Sequence, residues 1–290
     1  MTKYRLSSKL SSDRISYLLS AIRSVPPTRI NTDFHPVSYF YDMILWSTYF
    51  NSALSEFFKF FTKKILFGST AVALLVLSAV FFFAKDAKNF RKKATLLALG
   101  TTGFSEISFQ VLTVLAFQII YGYLYYMIGI IVTSFMFGLW MGSRYIIRRM
   151  DRVLHPYRAY TAVQVSVFLY PFVLLGLFHV FSRLAAVPLF GAITAGLFAI
   201  MPFIAGFVGG VQYPLASKIC FEKPGFVGKT AGSTYAADLM GAFIGAFVIS
   251  AFFIPLAGIS LTCVLLAALN GVSLIILLAG RKTDRLNLTP

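Results

Sequence analysis

Runs of about twenty apolar residues recur along this chain, and between them Lys and Arg gather in tight clusters. A helix needs about 20 such residues to cross a bilayer. In hydrocarbon, a segment of that kind must satisfy its backbone amides internally, so it is read as a helix. Seven spans follow, at residues 65–84, 94–120, 124–146, 160–181, 189–211, 233–254 and 258–278. The second is long enough to tilt or protrude. The fifth is rich in glycine and is expected to break at Pro202. The division between the last two rests on Pro255 and Gly258. Composition agrees, with 58% hydrophobic and only 12% charged residues, against about 25% charged in a soluble domain. The expected fold class is an all-α polytopic membrane protein with about seven transmembrane helices and an N-terminal interfacial segment.

Residues 1–64 hold no sustained apolar run, and no signal peptide is read there. Residues 17–22 suit a helical turn or two, ended by Pro26 and Pro27. Residues 37–61 are aromatic and apolar but interrupted by Asp42, Asn51, Glu56 and Lys59. They are read as an amphipathic helix, or a short helix pair, lying along the membrane. The alternative is a helix of a soluble domain docked on the membrane part. The expected organisation is a tail and interfacial helix over 1–64, a transmembrane domain over 65–280 and a short basic tail over 281–290.

The net charge of +16 would suggest nucleic acid in a soluble protein. Here the basic residues sit between spans, so no nucleic-acid partner is expected. Lys85, Lys88, Arg91, Lys92 and Lys93 lie before the second span, and Arg144, Arg148, Arg149, Arg152 and Arg158 follow the third. Lys218, Lys223 and Lys229 follow the fifth, and Arg281, Lys282 and Arg285 the last. The opposite connections hold little but Arg183. Positive charge is retained on the cytoplasmic side, which predicts a cell-membrane protein with a cytoplasmic C-terminus. Seven spans then put the N-terminus outside, against the trend of Lys59, Lys63 and Lys64. Tyr121, Tyr123, Tyr125 and Tyr126 form an interfacial aromatic belt at the outer end.

Polar groups inside spans are the candidates for function. Glu106 lies roughly 18 Å into the second span. A carboxylate there is costly unless protonated, paired or facing water. Gln110 follows one turn on and Gln118 two turns beyond, so this face suits a polar cavity. The bland alternative is a protonated Glu106 bonded to a neighbouring backbone or hydroxyl group. Asp238 is shallower in the sixth span and is placed to cap a helix or meet Lys229. Gln212 and Tyr213 end the fifth span, and Gln164 is a further lining candidate in the fourth. Gly138 with Gly142, and Gly241 with Gly245, are spaced four apart as helix-packing faces. No nucleotide loop, catalytic set or metal spacing is present. His35, His155 and His179 are scattered, and Cys220 and Cys263 suggest neither disulfide nor metal. No cofactor is expected.

Several stretches carry a family resemblance. RINTDFHPVSYFYDMILWSTYF at 29–50 resembles the segment that closes the synthase-like domain of the fused major-facilitator/spermidine-synthase-like family. TTGFSEISFQVLTVLAF at 101–117, GYLYYMIGIIVTSFMFGLWMGS at 122–143, GVQYPLAS at 210–217 and YAADLMGAFIGAFVIS at 235–250 resemble its membrane portion, in the same order. The resemblance runs from about residue 31 to residue 278. It implies an aminopropyltransferase domain that binds decarboxylated S-adenosylmethionine and a polyamine. The nucleotide-binding and catalytic aspartate segments of that domain are absent from this sequence; Asp33 and Asp42 belong to the tail. The expectation is therefore no autonomous catalysis. The chain is read as a membrane anchor or assembly subunit, in contact with the bilayer and with a separately encoded synthase-like or other partner, or with a second copy. The alternative is a transporter-like domain for a polyamine or other small cation, built on intramembrane carboxylates.

Overall fold

The structure is a computed structural model, and it describes residues 11–24, 87–122, 125–184, 188–221 and 227–286, with residues 38, 42, 45 and 68 singly. The described residues are helical almost throughout. The predicted span 65–84 and the predicted interfacial segment 37–61 lie outside them, apart from those single residues.

Residues 1–32 and 33–290 form separate compact units. The first contains α1 (Ser12–Ser24), with Asp13 in its first turn and Arg23 in its last. Both charges complement the helix dipole. The second unit contains α2 (Ala87–Tyr121), α3 (Tyr125–Arg149), α4 (Pro156–Leu184), α5 (Pro188–Cys220), α6 (Val227–Val248) and α7 (Ile254–Leu286). A 3-10 turn (Met150–Arg152) follows α3, and a π turn (Ile249–Phe253) joins α6 to α7. Five helical stretches are long and apolar enough to cross a membrane, the last covering 227–280 as one run of 54 residues.

That run is a hairpin. Beside α2, Gly100 faces Ala237 and Phe104 faces Gly245, so α6 runs parallel to α2. On the return leg Asn270 meets Ser105, Ser273 meets Thr101 and Gly280 meets Arg91, so α7 runs antiparallel. The reversal falls at Gly258, whose φ of 78 lies in the left-handed region that glycine alone occupies freely. Pro255 lacks the amide that would bond the carbonyl of Ala251. The helix meets that loss with the wider π turn just before it. The division expected from Pro255 and Gly258 is thus the one the backbone makes.

Two helix pairs set the spacing of the bundle. In α3 and α5 the contact is reciprocal. A Cβ at Gly138 or Gly142 would strike Phe203 or Phe207, and one at Gly206 or Gly210 would strike Phe135 or Leu139. In α2 and α6 the same holds for Gly103 against Asp238, Gly241 against Gly100 and Gly245 against Phe104. Small residues let backbones approach closely where lipid supplies no hydrophobic force between helices. Gly138, Gly142, Gly241 and Gly245 therefore pack as expected.

The fifth span departs from expectation. No break occurs at Pro202; α5 is one helix with Pro202 and Pro214 inside it. In a packed membrane helix, neighbours re-satisfy the groups that proline frees. At this point α5 packs on α4, where the Tyr170 hydroxyl donates to the Met201 carbonyl beside the proline at 2.6 Å; the carbonyl that Pro202 itself frees is that of Phe198.

Charge is segregated along the bundle axis. Arg91 donates to the Gly280 carbonyl and lies over the Tyr157 ring, and Lys218 donates to the Met150 carbonyl. These contacts gather the basic ends of the helices at one end of the bundle. The opposite end holds an aromatic cluster of Phe117, Tyr121, Phe178, Phe181 and Phe198. Between them, large apolar side chains such as Met136, Phe137 and Trp140 of α3 and Leu239, Met240 and Phe243 of α6 are exposed. Faces this apolar belong against acyl chains.

Gly142→Leu is expected to separate α3 from α5 and lower stability by about 1–3 kcal/mol or more. Gly129→Ala, at a site with open space, is expected to leave stability unchanged or raise it slightly. Thermal unfolding in detergent measures both.

Candidate functional site

The buried polar groups of the bundle converge on α2. Thr101, Thr102, Ser105 and Glu106 stand on its middle turns. Gln164 reaches in from α4, Gln212 from α5, and Asn270 and Ser273 from α7. Gln164, Gln212, Asn270, Ser105 and Ser273 are each fully buried. Each must therefore find partners among the others, because a buried polar group left unpaired costs about 1–3 kcal/mol.

They form one directed network. Asn270 Nδ2 donates to the Leu266 carbonyl at 2.8 Å and to Ser105 Oγ at 2.7 Å. Its Oδ1 accepts from Gln164 Nε2 at 3.1 Å. Gln164 Oε1 accepts from Gln212 Nε2 at 2.7 Å, with Thr102 Oγ1 3.3 Å away. Beside this chain Thr101 Oγ1 and Ser273 Oγ are hydrogen-bonded at 2.8 Å. Ser105 and Thr102 send their hydroxyls back to the carbonyls of Thr101 and Ala98, as short polar residues do inside membrane helices.

Glu106 projects from α2 onto α5. Its carboxyl group fills the space a side chain at Gly209 would occupy. Oε1 of Glu106 is buried and has no hydrogen-bond partner among the described residues; the same is true of Gln212 Oε1 and, nearer the basic end, of Thr95 Oγ1. Gly209 and Gln212 are three residues apart, so they are neighbours on one side of α5. Asp238 approaches α2 from α6, its backbone and side-chain oxygens against Gly103. It is within electrostatic reach of Glu106.

Glu106 thus stands where the α2–α6 pair meets the α3–α5 pair.

The candidates from the sequence divide into distinct places. Gln164 and Gln212 join the network, and Glu106 lies beside it. Gln110 and Gln118 do not share the Glu106 surface. They line a separate cleft of about 580 Å³ with Ile107, Val111, Val114 and Val132. One turn along α2 turns the side chain enough to move it from the α5 contact to this cleft. The lining is otherwise apolar, closed at one side by Ser250 and Ile254 at the hairpin turn. Tyr213 is half-buried and packs with the aliphatic cluster at the basic end. Asp238 meets α2 and so is a member of the α2–α6 contact. Cys220 and Cys263 are both buried. Among the described residues no group of His, Cys, Asp and Glu is arranged to hold a metal ion.

Asn270, Ser105 and Thr102 are the members the sequence reading passed over. Asn270 had a signal: it is an amide in the middle of an apolar run, LLAALNGVSLII. Ser105 and Thr102 had none, since hydroxyls are common in membrane helices. Gly209 reads as packing until the helix facing it is known.

No family model matches the chain, and no curated protein and no solved structure matches it.

Asn270→Leu removes the donor that orders the network and leaves the Gln164 amino group without its acceptor. A loss of about 1–3 kcal/mol is expected. Gln110→Leu, in the cleft, is expected to change stability by about 0.5 kcal/mol or less. Unfolding of the two variants in the same detergent compares them directly.

Proposed function

We propose that this chain is a transporter-like membrane domain that binds a small cation, such as a polyamine, on the carboxyl group of Glu106. One observation carries the reading: Glu106 is partly buried at the junction of two helix pairs, against the bare backbone of Gly209, with a buried oxygen that no described residue engages. Structure alone gives little reason for such a group, because an intramembrane carboxyl is costly and a glutamine or leucine would fill the space. A cation supplies the missing partner. Binding sites between helices that move against one another are the general solution for carrying solutes across bilayers.

Asp238 adds a second acidic group on the α6 side of α2. It lies closer to the basic end, where the helices emerge. A cation leaving Glu106 toward that end meets Asp238 next. The reading thus gives the two carboxyl groups successive roles, with Glu106 the deeper.

The anchor reading keeps one support from the geometry. The stretches that carry the synthase-family resemblance pack together: Gly103 against Asp238, Gly245 against Phe104, and Gly210 against Leu139. A domain held together by these contacts serves equally to seat a soluble partner. Co-purification from membranes with the product of an adjacent synthase-like gene tests it, and a lone chain in mild detergent with that gene co-expressed counts against it.

Purified chain reconstituted in liposomes is expected to take up radiolabelled putrescine. Glu106→Gln is expected to reduce that uptake at least tenfold while leaving thermal stability equal or higher. Equal uptake by the variant would remove Glu106 from the mechanism.

The reading also orients the chain in a cell membrane with its basic end in the cytoplasm, by the retention of positive charge on that side. A cysteine at Asp151, in the exposed 3-10 turn, is expected to react with an impermeant maleimide only in inside-out vesicles. One at Tyr126, at the start of α3, is expected to react only in right-side-out vesicles.

A further inference from the structure

We infer that Gln212 Oε1 is a second ligand-binding group beside Glu106, and that the site selects cations bearing N–H donors over cations of equal charge without them. This rests on the cation-binding reading of Glu106 and adds the chemistry of its ligand.

The argument begins at a backbone carbonyl. Leu266 O can only accept, so the arm of Asn270 that meets it at 2.8 Å must be the amino group. Asn270 Oδ1 is then the acceptor left for α4. Gln164 must present its own amino group to that oxygen, as it does at 3.1 Å. Its carbonyl oxygen is thereby turned toward α5, where it receives Gln212 Nε2 at 2.7 Å. Gln212 has one arm left, and that arm is an oxygen. No amide along the way can rotate without setting oxygen against oxygen or nitrogen against nitrogen. A main-chain group in α7 thus dictates, through three side chains, that the network ends in an acceptor on α5.

That terminal oxygen is fully buried and without a partner among the described residues. The other such atom near it is also an acceptor, Glu106 Oε1, held against Gly209 one turn earlier on the same helix. Each amide nitrogen of the network is engaged by at least one neighbour, and the atoms left without any partner among the described residues at its α5 end are oxygens. Two unpartnered oxygens, one from α2 seated at Gly209 and one on α5 three residues further along, match a ligand that supplies hydrogen-bond donors. A positive charge satisfies Glu106, and N–H groups satisfy Gln212. A primary ammonium has both; a quaternary ammonium has the charge alone. Gln164 and Asn270 are positioning residues: they aim the oxygen and do not touch the ligand.

The test compares two probes on the full-length chain in liposomes: putrescine, and its fully N-methylated bis-quaternary analogue, which keeps the two charges and the four-carbon spacing but has no N–H. A charge-assisted hydrogen bond favours the donor-bearing probe by about tenfold in affinity. Wild type is expected to bind putrescine that much more tightly. Gln212→Leu is expected to bring the two probes close to parity while still binding both, and Glu106→Gln to weaken both together. Gln212→Met, similar in length and without an amide, is measured alongside in case the leucine variant does not fold. Wild type binding neither probe would overturn the cation reading and this inference with it. Wild type binding both equally would overturn the inference and leave the role of Glu106 standing. A preference that survives in Gln212→Leu or Gln212→Met would take the selectivity away from Gln212.

Discussion

Backbone-to-backbone contact at glycine holds this bundle together. In lipid, two apolar helices gain little by meeting, because acyl chains wet them equally well. What distinguishes a helix neighbour from lipid is close approach. The carbonyls of Phe203 and Phe207 come so near α3 that only glycine fits at 138 and 142, and the carbonyl of Gly100 does the same at Gly241. Both pairs are therefore fixed in register as well as in distance. The placement of Glu106 follows from that register, since its carboxyl group uses the gap at Gly209, on the same glycine-rich turn of α5 that seats α3 through Gly210.

Polar bonding acts on top of this framework and does a different job. Each interhelical hydrogen bond in a membrane adds only about 0.6 kcal/mol on average. The network of Gln212, Gln164 and Asn270 ties α5, α4 and α7 to one another and, through Ser105, to α2. Its value lies in direction more than in strength. Leucines in the same places would pack and hold, but they would not present an oxygen to α5.

The class of the protein was legible because a membrane helix writes its length and its flanking charges into the sequence. The hairpin at residues 254–258 was legible for a local reason, Pro255 followed by Gly258. The glycine pairs were legible from spacing. The continuity of α5 was not, because whether a proline breaks a membrane helix depends on the neighbours packed around it. The separation of Gln110 from Glu106 was not either. Helical spacing puts them on one side of α2, but which neighbour covers each turn is a tertiary matter. Asn270 and Gly209 acquire meaning only from the residues across from them. The candidate site was thus visible as a list of polar residues in apolar runs, and its membership was decided by which helices meet.

The turn at Gly258 bears on how such a chain enters its membrane. Ile254, Leu256, Ala257 and Ile259 around it are buried and apolar. No charged side chain stands between Asp238 on one leg and Arg281 after the other. The connection at Gly122 between α2 and α3 is likewise uncharged. Delivering these connections to the far side of a bilayer transfers almost no charge through hydrocarbon. The two legs of each hairpin can then enter as a unit, led by an apolar tip, while the arginine-rich ends stay where they were made. Biogenesis and orientation become one event, with the electrostatic work left undone by design of the loops.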